Sequence, residues 1–307
     1  VTAGYDANPL MSDFDEKYFT TSDGARLRYL QGGAGAPVIL VPAFGVSADS
    51  YSLNAPELAK SRTVYVLDAR GHGGSDATAH GHHVFRLSAD LREFIEFLDT
   101  ERVDLLGCSM GCTVIWGYIE LFGQARIGKL VFVDQPPMLA ADPYDDEDVV
   151  RAYGGSRADL WHIHHAYMRD FEQGWPVTLS YFEKDWPPIS EEVAAALPDD
   201  YATKIAQIPA RGAIDDMRRA FLANLMRDHF WLDWRQLIPT ITRPVLIMSG
   251  DESHATTPES NAWMDSVLPH SRWVRFTASE VGAHDFLQTA HVRFNQEVVD
   301  FLRIATD

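Results

Sequence analysis

Gly107-Cys108-Ser109-Met110-Gly111 is the stretch of this chain best suited to covalent chemistry. It follows an apolar run, Val103 to Leu106, and precedes a segment of helical character, Cys112 to Leu121. A G-x-S-x-G between strand and helix makes a turn too sharp for side chains at its flanks and lifts the serine hydroxyl clear of the sheet. The backbone at the serine is strained, and the following helix aims its N-terminus at whatever reacts there. Ser109 is therefore the expected nucleophile. A serine hydroxyl attacks poorly until a base takes its proton. That base in turn needs an acid to hold its far nitrogen, and the developing oxyanion needs preorganised N–H donors.

The elements that must position such a site are legible as alternating runs. Glu16 to Thr20 and Arg26 to Gln31 read as a hairpin turned by Ser22-Asp23-Gly24. Pro37 to Val41, Thr63 to Leu67, Val103 to Leu106, Lys129 to Val133, Pro244 to Met248 and Trp273 to Phe276 read as further strands. Helices are expected at Ser52 to Ala59, Ser88 to Thr100, Cys112 to Leu121, Pro258 to Val267 and Val292 to Ile304, with Ser88 as an N-cap. Continuous apolar strands separated by helices predict an α/β fold with a parallel sheet covered on both faces. The rhythm fails between Pro136 and about Leu237. That region opens on an acidic stretch, Asp142 to Asp148, and holds Trp161, Trp175, Trp186, Trp231 and Trp234, five of the eight tryptophans. It reads as a helical cap, residues 137–237, inserted into a core of residues 1–136 and 238–307. Most of its aromatics are expected to pack the cap on the core, with one or two lining an apolar pocket.

Composition narrows the partners. The 307 residues carry a formal net charge of −18, which nucleic acid and anionic membranes would repel. No run of about 18 apolar residues suggests a transmembrane helix. Val1 to Gly4 lack a signal-peptide apolar region, so cytoplasmic residence is the expectation, with the natural start upstream of Val1 left open. The two cysteines, Cys108 and Cys112, are expected to be buried thiols, because neighbouring turns of one helix give poor disulfide geometry. His80, His82 and His83, and His162, His164 and His165, lack the further ligands of a metal site and read as surface or cap histidines; one from the cap facing the pocket is left open. With no G-x-G-x-x-G after a strand and no phosphate-binding loop, neither metal nor cofactor is expected.

Four motifs in order make the chain resemble the α/β-hydrolase fold family along most of its length. Besides the serine turn, these are Pro42-Ala43-Phe44-Gly45 after the PVILV strand, Asp68 to Asp76 with the form D-x-R-G-x-G-x-S, and Gly282-Ala283-His284-Asp285 after the last strand. The resemblance implies a mostly parallel eight-stranded sheet flanked by helices, with an inserted helical cap. It makes His284 the base and gives the oxyanion hole to the backbone N–H groups of Phe44 and Met110. Asp68, Arg70 and His72 are read as residues that fix a turn. The family commonly carries its acid in a G-x-x-D-x-x-x-P segment. Here that segment reads Gly250-Asp251-Glu252-Ser253-His254-Ala255-Thr256-Thr257-Pro258, with a serine at the acid's place and the proline one residue late. Asp134, 25 residues after Ser109 at the end of the neighbouring strand, is the preferred acid; Glu252 and Asp251 are the alternatives.

Serine chemistry of this kind fits hydrolysis of a carboxylic ester or lactone with a bulky apolar or aromatic substrate, through an acyl-enzyme. The Gly-Cys-Ser-x-Gly turn, the early acid and the large cap resemble zearalenone-type lactone hydrolases, whose substrate is a resorcylic macrocyclic lactone. Phe44 and Met110 also resemble the oxyanion residues of cofactor-free haloperoxidases (perhydrolases). Two further readings stay open: a cofactor-independent dioxygenase on the same fold, and a non-catalytic ligand receptor. The oligomeric state is not legible.

Overall fold

The expected strands fall into place because their side chains alternate between two apolar layers. A computed structural model describes residues 8–142, 144, 146–154, 158–181, 203 and 214–303. The strands are β1 (Asp15–Thr20), β2 (Arg26–Gly32), β3 (Pro37–Val41), β4 (Thr63–Leu67), β5 (Val103–Cys108), β6 (Ile127–Val133), β7 (Val245–Gly250) and β8 (Ser271–Phe276). They form one eight-stranded sheet in the order β1-β2-β4-β3-β5-β6-β7-β8. β2 runs antiparallel to both β1 and β4, and every other pairing is parallel. Strands covered on both faces read as continuous apolar runs. β7 is buried at every position, whereas the edge strands β1 and β8 alternate with solvent.

Period-two alternation divides the sheet between two cores. Ile39, Val41, Leu105, Phe132 and Ile247 join helices α2 (Val84–Phe97), α3 (Met110–Phe122) and α8 (Pro258–Val267). Val38, Leu40, Leu106, Val131 and Met248 join α1 (Ala55–Ala59), α9 (Phe286–Thr289) and α10 (His291–Arg303). Among the described residues, no helix is long and apolar enough to cross a membrane.

Helix α2 corrects one expectation. It starts at Val84, a turn before Ser88, and Ser88 is buried inside it with its hydroxyl 3.0 Å from Val84 O and 2.9 Å from Val114 O. The signal that starts the helix is remote in sequence. The Asp228 carboxylate accepts a hydrogen bond from Val84 N at 2.8 Å and does for the helix what an N-cap side chain would do.

Between β6 and β7 the described helices are α4 (Glu147–Tyr153), α5 (Leu160–Arg169), α6 (Phe171–Tyr181) and α7 (Asp216–Trp231). Asp146, from the acidic stretch, caps α4 by accepting from Val149 N. Much of the expected cap, Trp186 included, lies outside the described residues. Helix α7 is tied to the core at both ends. Arg218 donates to the carbonyls of Gly71, Gly73 and Ser75, and Asp228 holds the start of α2.

Candidate active site

Ser109 sits between β5 and α3 with φ 49°, a left-handed conformation that costs a non-glycine residue about 1–3 kcal/mol. The strain is held by its neighbours. Ser109 N donates to Val133 O at 2.8 Å, which ties the turn to the end of β6, and Cys112 N donates back to Ser109 O at 2.8 Å. A Cβ on Gly107 would lie 2.6 Å from Cys112 N. One on Gly111 would collide with Val41 O and come within 3.0 Å of Pro42 O. The two glycines thus let α3 fold back on its own strand and press against the loop that carries Phe44.

Asp134 leaves β6 in the same manner, at φ 52°. Its N–H donates to Met248 O at 2.9 Å, and its side chain is fully buried. A buried carboxylate is tolerable only when well supplied with donors. This one accepts from Ser253 Oγ at 2.5 Å, Thr256 Oγ1 at 3.2 Å, Gly250 N at 3.3 Å and His284 Nδ1 at 2.5 Å. Gly250 and Gly282 make the approach feasible. A Cβ on Gly250 would strike Gly282 O, and one on Gly282 would strike Phe276 O. The alternative acids point elsewhere: Asp251 pairs with Arg275 at 2.9 Å, and Glu252 is exposed.

Ser109 and His284 line one cavity of about 300 Å³, together with Phe44. Met110, as the first residue of α3, has an N–H with no partner within the helix. The Phe44 ring stacks on Phe171, at 5.9 Å between centroids, and meets Tyr167 and His72 edge-on. The loop that carries Phe44 is therefore braced by α5 and α6.

The turn-forming motif lies outside this cavity. Asp68 is buried and accepts from Ala48 N, Gly74 N and Arg28. The buried Arg70 guanidinium grips Asp90 and Asp23, which holds the Asp23 carboxyl far below the usual carboxylate range. His72 Nδ1 is 2.9 Å from Arg70 O. Cys108 and Cys112 are free, buried thiols, and burial pushes both well above the usual thiol range. Among the described residues, no group of His, Cys, Asp or Glu side chains could hold a metal ion. His82 and His164 share Asn224 between them, and His83 pairs with Asp228.

Sequence reasoning missed most of the cavity's far wall. Tyr167, Phe171, Met226, His229 and Phe230 line it, along with Trp175. Of the flagged tryptophans, Trp161 and Trp231 are exposed and Trp234 is buried against Trp116 and Phe85. Helical periodicity marks such residues as buried but not as facing a cavity. The pattern described as alpha/beta hydrolase fold matches residues 36–281.

The chain belongs to the α/β-hydrolase fold family.

Among curated proteins, this α/β-hydrolase is similar to a non-heme chloroperoxidase-like protein of Synechocystis sp., with 25% identity over 237 residues, covering 75% of this chain and 78% of that one. Among solved structures it superposes on an esterase from Exiguobacterium antarcticum with a TM-score of 0.71 and 22% identity, covering 94% of this chain and 100% of that one. It superposes on the enol-lactonase of Burkholderia xenovorans with a TM-score of 0.69 and 19% identity, again covering 94% and 100%. At these identities the two superpositions establish the fold alone.

Proposed function

We propose that this α/β-hydrolase cleaves a carboxylic ester or lactone through an acyl-enzyme on Ser109. The observation that carries this reading is the 2.5 Å contact between His284 and the buried Asp134, beside a serine in a strained turn on the same cavity. In the reaction, Ser109 Oγ attacks the carbonyl carbon as His284 Nε2 takes its proton. Asp134 holds His284 Nδ1–H and stabilises the imidazolium. The N–H groups of Phe44 and Met110 receive the negative charge on the carbonyl oxygen. His284 then gives its proton to the leaving oxygen, and later activates the water that releases the acid.

In the same reading, residues 137–237 form a cap over a core of residues 1–136 and 238–307. The aromatic wall that these residues contribute favours a bulky apolar acyl or alcohol portion, and resorcylic macrocyclic lactones are one class of that shape. The likeness to a chloroperoxidase-like protein supports a second reading, in which hydrogen peroxide takes the place of water in cleaving the acyl-enzyme.

The test is a panel of p-nitrophenyl esters, small lactones and macrocyclic lactones, with and without peroxide. Wild type should turn over at least one class and react with a fluorophosphonate probe, and Ser109→Ala should lose both properties. Full activity in Ser109→Ala with no labelling of wild type would overturn the proposal.

A further inference from the structure

One polar side chain in the cavity wall has its tautomer set by a neighbour on α3. His229, near the end of α7, is fully enclosed by protein apart from the cavity it lines. Its Nδ1 lies 3.3 Å from Thr113 Oγ1. Thr113 has one hydroxyl proton, and its shorter contact, 2.8 Å, is to Met110 O. A carbonyl can only accept, so the proton goes to Met110 O and the threonine oxygen accepts from His229 Nδ1–H. In a neutral imidazole, a proton on Nδ1 leaves Nε2 with a lone pair. Burial pushes the ring's pKa down to about 3, so it stays neutral across the working range of pH.

Two other polar side chains on the wall donate to backbone carbonyls. Gln135 Nε2 donates to Pro136 O, and Thr178 Oγ1 donates to Gly174 O. Around His229 the wall is apolar, with Met226 and Phe230 from the same helix.

We infer that His229 Nε2 is a specificity-determining acceptor for a hydroxyl group on the substrate, in the part of the cavity wall that packs on Thr113 of α3. The substrate is then an ester or lactone with an otherwise apolar body and one hydroxyl on the part lodged beneath α7. An analogue without that hydroxyl leaves Nε2 buried and unpaired, and a methyl ether brings an acceptor against an acceptor. Desolvating an unpaired buried acceptor lowers kcat/KM by about 10- to 100-fold. The assignment of a hydroxylated ester rests on the hydrolase reading above; the acceptor itself does not.

The test uses 4-nitrophenyl esters of phenylpropanoic acid bearing an ortho, meta or para hydroxyl, each against its methoxy and unsubstituted counterparts. Wild type should prefer one hydroxylated isomer by about 10- to 100-fold in kcat/KM. His229→Phe should bring that preference close to unity, since the change removes the acceptor and keeps an apolar ring of similar size. His229→Gln, which restores a carbonyl acceptor, should regain part of the preference. Absence of preference in wild type, or a preference that survives in a folded His229→Phe, overturns the inference, and the wild-type comparison decides alone if that variant does not fold. Calorimetric binding of the corresponding hydroxyphenylpropanamides to Ser109→Ala separates the two proposals. If no ester is turned over but the amides bind with the same hydroxyl and His229 dependence, the hydrolase reading fails and the acceptor stands. If esters are turned over without that dependence, the acceptor fails and the hydrolase reading stands.

Discussion

Ser253 Oγ donates a 2.5 Å hydrogen bond to the carboxylate of Asp134, from the sequence position where many α/β-hydrolases carry the acid itself. The end of β6 and the loop after β7 converge on one point beside His284. In this chain the carboxylate beside His284 comes from the earlier strand, and the later loop adds a hydrogen-bond donor to it.

That convergence predicts the outcome of moving the acid. Asp134→Asn should lower kcat by about 10⁴-fold, as when an acid is made unable to hold the histidine's tautomer. Glu252→Gln and Asp251→Asn should stay within about three-fold of wild type, because their side chains lie on the surface or on Arg275. The double variant Asp134→Asn with Ser253→Asp should recover at least about ten-fold over Asp134→Asn alone. Steady-state kinetics on one good ester checks all four. Loss of activity confined to Glu252→Gln would return the acid to the later loop.

Gly111 predicts a rate defect that should be separable from folding. An alanine Cβ there would meet Val41 O, on the strand that leads into the Phe44 loop. Gly111→Ala should displace that loop against Ser109 and lower kcat by about 10² to 10³, the cost of losing one oxyanion donor. Binding of an unreactive amide analogue, measured by calorimetry, should change much less than kcat. Equal losses in both would point to collapse of the whole pocket.

The Arg70–Asp90 pair predicts the opposite pattern, a structural defect without a chemical one. Both side chains are buried, with Nη2 and Oδ1 2.8 Å apart. Arg70→Met removes one of the two guanidinium partners of the buried Asp90 carboxylate, leaving Arg86 at 2.6 Å, and should cost about 1–3 kcal/mol in urea unfolding. The surviving folded fraction should keep its KM. A raised KM at unchanged stability would make Arg70 part of the binding machinery.

His229 predicts an acid-dependent loss of stability. The folded ring has its pKa lowered to about 3 from an ordinary value of 6.5, so the unfolded chain binds a proton that the folded chain refuses. The contribution is therefore complete above pH 6.5 and drains away as pH falls toward 3, by up to about 1.4 kcal/mol per unit. Between pH 7 and pH 5, wild type should lose about 2 kcal/mol more than His229→Gln in matched urea titrations. Parallel losses in the two proteins would show that some other group accounts for the acid sensitivity.

The sheet and the strained serine turn were open to a reader of the sequence because each is encoded locally. An apolar run such as Pro37–Val41 or a glycine-flanked serine carries its own signal. Asp134 was legible from its place at the end of the strand beside the serine turn and, by contrast, from the serine at position 253. What the sequence hid depends on contacts between distant segments. The Nδ1 proton of His229 is placed by Thr113, 116 positions away. Helix α2 starts where Asp228 reaches it, 144 positions on, and no propensity at Ser88 competes with a carboxylate supplied from elsewhere. Burial of Tyr167 or Met226 follows from helical spacing, but a cavity is where packing stops, and periodicity does not record that.

Asp228 also sets a schedule for the nascent chain. During synthesis, residues 84–97 leave the ribosome long before residue 228 exists, at a pace of about 5–20 residues per second. For about 7 to 30 seconds the first turn of α2 has no carboxylate to receive the Val84 N–H, and the sheet face that α2 covers lacks a finished partner. The apolar surface of β3 and β5 exposed in that interval is the part of the nascent chain most open to aggregation.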